Sequence, residues 1–228
     1  MPDSRSRILA SIRRSLASAR HLPAAPSVTL PPPSLITDHS SLARQFADEL
    51  QKLSGVFIAE SMEKVPARVM QLLHERKTDS VLAWDAEHLP VPGFLEHLRR
   101  EGINLVDADI PRGEPERSQK LAEIQRVTVG LTGADAALAD TGTLALRAGP
   151  GRPRLASLSV RTHIALFTPE QLYPSWAAWW AVQPDRAVWV SGASNLTLIT
   201  GPSRTADIEM TLTVGVHGPG EVIAIYTG

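Results

Sequence analysis

The chain has 228 residues, 43% of them hydrophobic and 21% charged, the balance of a soluble globular protein large enough to bury its own core. It contains no cysteine, which excludes disulfides, zinc–thiolate centres, cysteine nucleophiles and Cys-ligated iron–sulfur clusters. The formal net charge of -1 supplies no whole-domain basic field for nucleic acid, and no apolar run reaches the roughly 18 residues that span a bilayer.

The charge is unevenly spread. Residues 1–26 hold Arg5, Arg7, Arg13, Arg14 and Arg20 against Asp3 alone. Ile8, Ile12 and Leu16 recur at i, i+4 and i+8, so residues 1–21 read as an amphipathic basic helix. A helix docked on its own domain or on a partner, a transit peptide, and a membrane-surface anchor all fit that pattern. Pro23, Pro26, Pro31, Pro32 and Pro33 make residues 22–35 a linker or wrapping arm, and the folded domain is expected over 36–228.

From there, helices are expected over 38–53, 65–75, 94–101 and 121–126. Short apolar strands are expected over 56–59, 81–84, 103–106 and 127–131. Continuous apolar strands alternating with helices indicate a mostly parallel sheet covered on both faces. The pattern then changes. Residues 136–140 and 143–147 alternate with period two around Thr141-Gly142, an antiparallel hairpin. A strand is expected over 163–168 and a helix over 169–182. Strands follow over 187–191 and 197–200, then a short helix over 205–214 and a last strand over 222–226.

Two segments crowd small and polar residues where loops should lie. The first runs from Val129 to Thr143 and includes Gly130, Gly133, Asp135, Asp140, Thr141, Gly142 and Thr143. Its hydroxyls and free amides suit carboxylate or phosphate oxygens; equally, Asp140-Thr141-Gly142-Thr143 is a well-formed turn sequence. The second contains Gly201, Pro202, Ser203, Arg204, Thr205, Asp207, Glu209 and His217. A strand end followed by a helix start is an anion-binding arrangement, and Arg204 adds a bidentate fork. Asp207 and Glu209 either take part or serve the dipole of the expected helix. His217 is either a general acid–base group or surface. Trp176, Trp179 and Trp180 form a helical stripe, either core or partner patch. The Arg147–Arg154 run reads as a solvated loop whose arginines are also within reach of a ligand.

The stretch Ala134-Asp-Ala-Ala-Leu-Ala-Asp-Thr-Gly-Thr-Leu144 resembles the first signature of the lactate-utilisation (LUD) domain family. Ile199-Thr-Gly-Pro-Ser-Arg-Thr-Ala-Asp-Ile-Glu209, with Gly215-Val-His-Gly-Pro219, resembles the second, and the match is to the lactate utilization protein C type. One departure is the absence of a proline before His163. The resemblance implies a three-layer α/β/α sandwich similar to the CoA-transferase and ribose-phosphate-isomerase group. It implies a non-redox, cytoplasmic subunit of a system that oxidises L-lactate to pyruvate with two iron–sulfur partner proteins. Clusters are then expected in the partners and no cofactor in this chain. In that reading Asp140, Thr141, Gly142, Thr143, Gly201, Pro202, Ser203, Arg204, Thr205 and Asp207 surround a small carboxylate or phosphate, and Glu209 or His217 moves a proton. Two other readings stand beside it: a stand-alone enzyme on a CoA thioester or sugar phosphate, with Glu209 as nucleophile, and a pure scaffold subunit.

Overall fold

The structure, a computed structural model, describes residues 3–18, 38–183, 192–206 and 212–228. The chain divides into two units, Met1–Pro31 and Pro32–Gly228. The first contains helix α1 (Ser4–Ser18), on which Ile8, Ile12 and Leu16 are all exposed.

The second unit is built on six parallel strands. In chain order these are β1 (Val56–Ala59), β2 (Ser80–Ala83), β3 (Asn104–Val106), β4 (Val129–Thr132), β7 (Thr162–Phe167) and β12 (Glu221–Tyr226). Their spatial order is β1-β12-β7-β4-β2-β3. Helices α2 (His39–Lys52), α3 (Val65–Glu75), α4 (Phe94–Arg100), α5 (Glu116–Arg126) and the short α6 (Leu155–Leu158) connect and cover them. The inner strands β4, β7 and β12 bury almost every side chain, as continuous apolar strands covered on both faces do. Helix α2 starts at Asp38, whose carboxylate accepts from the Ser40 amide, and it turns Leu42, Phe46 and Leu50 inward. Phe46 then packs against Phe57 and Phe167 at ring-centroid distances of 5.9 and 5.2 Å.

Beside this sheet stands a smaller one, ordered β8-β5-β6-β9, from β5 (Ala136–Leu138), β6 (Thr143–Ala148), β8 (Leu172–Tyr173) and β9 (Asn195–Ile199). The expected hairpin is β5–β6, paired antiparallel with Ala136 opposite Ala145. Period-two alternation gives the small sheet two buried faces. Ala137, Leu144, Leu146 and Ile199 join the main core. Ala136, Leu138 and Ala145 form a second cluster with Trp179 of α7 (Trp176–Ala181). Trp176 lies edge-on to Trp179 and stacked on Trp180, so the tryptophan stripe closes this second cluster.

The chain adopts the expected α/β class, with a mostly parallel central sheet and an antiparallel addition. Two expected helices differ. Over 169–182 the chain makes a short turn of 3-10 helix, then β8, then α7. Pro174 forces the preceding Tyr173 extended, and Ser175 starts the helix afresh by accepting from the Ala178 amide. In place of a helix spanning 205–214, β10 (Arg204–Ala206) pairs antiparallel with β11 (Leu212–Val214). Thr205, Thr213 and Val214 are β-branched and favour strands, which overrides the weak helical spacing. The expected strand over 187–191 lies outside the described residues.

Candidate functional site

The two segments singled out above meet. β6 pairs antiparallel with β9, Leu144 opposite Ile199, which sets Thr143 beside Thr200. Their hydroxyl oxygens are 3.0 Å apart. Thr143 donates to Thr141 Oγ1 at 2.8 Å, and Thr141 donates to Asp140 Oδ1 at 3.2 Å. The single hydroxyl proton of Thr143 is thereby used, so Thr200 is the donor to Thr143. The result is a one-way relay of hydroxyls ending on an exposed carboxylate.

Both segments also grip the end of α2. Gly142 has φ 62, and a Cβ on it would lie 2.4 Å from the Leu50 amide nitrogen, so only glycine fits. Gly201, at φ 130, packs on Leu53 less tightly, a Cβ there lying 3.1 Å from the Leu53 Cβ. Arg204 Nη2 donates to the Leu53 carbonyl at 2.7 Å and to Ser54 Oγ at 3.0 Å, satisfying a carbonyl at the helix end that has no partner within the helix. Arg204 therefore reaches across from strand β10 to a helix C-terminus, where the helix dipole favours its positive charge and not an anion. Pro202 is buried and Thr205 half-buried. The Ser203 amide donates to the Pro219 carbonyl, and its own carbonyl accepts from the Gly215 amide. His217 lies on that exposed turn and lines a different cleft, with Val160 and Arg161 at the amino ends of the parallel strands. Asp207 and Glu209 lie outside the described residues.

A second polar site opens at the carboxyl edge of the parallel sheet. Trp84, Ala134 and Thr168 follow the neighbouring strands β2, β4 and β7, and they line a cleft of about 380 Å³ with His88, Asp135, Arg152 and Gln171. Asp135 Oδ2 accepts from the Arg147 amide at 2.7 Å, while Oδ1 accepts from Arg147 Nε at 2.9 Å and Arg152 Nη1 at 3.3 Å. Far from being a solvated loop, the arginine run places Arg147 on β6 and folds Arg152 back onto Asp135. The fold-back is tied down where the Asp85 amide donates to the Gly151 carbonyl at 2.8 Å. A Cβ on Gly133 would lie 2.3 Å from the His88 carbonyl oxygen, and one on Gly151 2.7 Å from Asp85 Oδ2. These two glycines let the Asp85–His88 segment close against both loops. Asp135, Arg147 and Arg152 escaped the sequence reading as one site. The hairpin register alone sets Asp135 opposite Leu146; Asp135 meets Arg147 because it lies just outside β5, with its amide donating to the Ala145 carbonyl.

On β7, within the parallel sheet, His163 is fully buried, with Nε2 2.8 Å from Thr132 Oγ1. Burial pushes its pKa down to about 3, so the ring is neutral. Among the described residues, His163 Nδ1, Trp84 Nε1 and Arg152 Nε are buried side-chain atoms with no hydrogen-bond partner.

A six-stranded parallel sheet with helices and an added mixed sheet defines an α/β protein, and its two polar sites lie at strand ends and the loops beside them. The LUD domain model matches residues 43–226, and the chain belongs to that family. It is 30% identical to lactate utilization protein C of Halalkalibacterium halodurans over 203 residues, covering 85% of this chain and 84% of the relative. It is 39% identical to lactate utilization protein C of Macrococcus caseolyticus over 165 residues, covering 71% and 67%. The crystal structure of a DUF162 family protein from Deinococcus radiodurans has the same fold, with a TM-score of 0.59 at 19% identity, over 83% of this chain and 98% of that one. No helix among the described residues is long and apolar enough to cross a membrane.

Proposed function

We propose that this protein serves lactate utilisation in the cytoplasm as a non-redox component, working beside iron–sulfur proteins that oxidise L-lactate to pyruvate. Family membership and the names of its relatives support this role. The absence of cysteine supports the division of labour, because thiolate-held clusters would belong to the partners. In this reading the edge formed by Thr141, Thr143, Thr200 and Arg204 receives a small carboxylate. The observation that carries it is the contact between Thr143 and Thr200, which joins two segments 57 residues apart. A second reading, a scaffold role, is favoured by Arg204 and Gly142 being engaged with the end of α2.

Complementation separates the two. Cells lacking this chain are expected not to grow on L-lactate and to grow normally on glucose, and wild type restores lactate growth. Thr143→Val and Arg204→Ala are expected to lose growth on lactate while still unfolding cooperatively. If both variants support full growth, the scaffold reading replaces the anion edge. If the deletion itself is silent on lactate, the proposed role falls.

A further inference from the structure

We propose that the cleft at the carboxyl edge of β2, β4 and β7 is a second binding site, for a small oxyanion held by Arg152 and Trp84. Crevices outside the carboxyl ends of parallel strands are where open α/β sheets take ligands. The cleft, about 380 Å³, falls at the small end of ligand-site volumes, which run from roughly 300 to 1,000 Å³. It is separate from the threonine edge. Arg147 lies four residues along β6 from Thr143, about 13 Å at the rise of a strand.

Three observations on its wall point to an anion. First, two guanidinium groups, Arg147 and Arg152, converge on one carboxylate, Asp135. Glu87, which also lines the cleft, is 78% exposed and turned to His88 at 3.5 Å. Second, Trp84 is 3% exposed, and its indole N–H has no acceptor among the described residues. An indole nitrogen can only donate, so what it lacks is an acceptor. Third, Arg152, in the same lining, has at Nε a second buried donor without an acceptor among the described residues. Buried donors without acceptors are destabilising, and an oxyanion in the cleft relieves both. Arg152 meanwhile is held in place by Asp135, so the fork is preorganised before anything binds.

The carboxylate and phosphate sources of such an anion are told apart by titrating the full chain with L-lactate, pyruvate and inorganic phosphate, followed by calorimetry. At least one of the three is expected to bind. Arg152→Gln is expected to weaken that binding by about tenfold or more, because it removes a charge-assisted donor. Arg152→Lys, which keeps the charge and loses the fork, is expected to fall between. Trp84→Phe removes the N–H with little loss of volume and is expected to weaken binding about threefold to tenfold. Arg99→Gln, on the exposed face of α4, is the control for lost charge. Cooperative unfolding of each variant establishes that it is folded. No binding by any probe, or binding indifferent to both Arg152→Gln and Trp84→Phe, overturns the site. Binding abolished by Arg204→Ala and untouched by Arg152→Gln places the anion on the threonine edge, which overturns this inference and leaves the proposed function standing.

Discussion

Gly130→Ala is expected to destabilise the domain by about 3 kcal/mol or more, at the upper end of what overpacking does. Gly130 sits on β4, between β7 and β2 in the parallel sheet. A Cβ there would lie 1.7 Å from the Ala156 carbonyl oxygen and 2.7 Å from its carbon. The obstacle is backbone of α6, not the end of a flexible side chain, so relief requires the helix to move off the sheet. Protein interiors are close-packed and transmit such a shift. Gly113→Ala is the control, since a Cβ there meets nothing within 4 Å. Urea unfolding of the two variants checks this. An unchanged midpoint for Gly130→Ala would mean that α6 does not lie against β4 as described.

The second large effect is a loss of stability in mild acid that runs through one histidine. His163 is held neutral in the fold, its pKa pushed down to about 3 by burial, against 6.5 for the unfolded chain. The unfolded state therefore takes up a proton below pH 6.5 that the folded state refuses. The contribution is fully present above that value and is lost as pH falls toward the folded one. The slope is about 1.4 kcal/mol per pH unit, so acidification to pH 5 removes about 2 kcal/mol. His163→Gln keeps a hydrogen-bonding group for Thr132 and removes the titration. Its stability is expected to stay nearly level from pH 7 to pH 5 while the wild-type midpoint falls. Parallel profiles for the two proteins would show that His163 is not the buried, neutral group described here.

How much of this was legible depended on the range of the interactions involved. The parallel strands were readable because Val129–Leu131 and Val222–Tyr226 are apolar without interruption, the pattern of strands covered on both faces. The β5–β6 hairpin was readable from Thr141-Gly142, since Gly142 needs the positive φ it adopts. The helix expected over 205–214 failed because its spacing was weak and its β-branched residues pair locally into β10 and β11. The run over 169–182 failed at Pro174, which ends one element and lets Ser175 begin another. The sites were legible in proportion to their locality. The turn around Thr141 and the Gly201–Arg204 segment stood out in sequence, and only the β6–β9 pairing brings them together. The carboxyl-edge cleft needs the loop at Gly151 to fold back over Asp85 and His88, a tertiary contact that no local pattern encodes.

The proposed partnership of this chain with iron–sulfur proteins in lactate oxidation can be tested in one preparation. Purifying the tagged chain from its native cells tests it most directly, with iron and acid-labile sulfide assayed in the eluate alongside L-lactate-dependent dye reduction. The account predicts iron–sulfur proteins in the eluate and pyruvate formed from lactate, with cells lacking this chain unable to make it. A chain that purifies alone, free of iron, from cells whose lactate oxidation is unaffected by its removal would contradict the account.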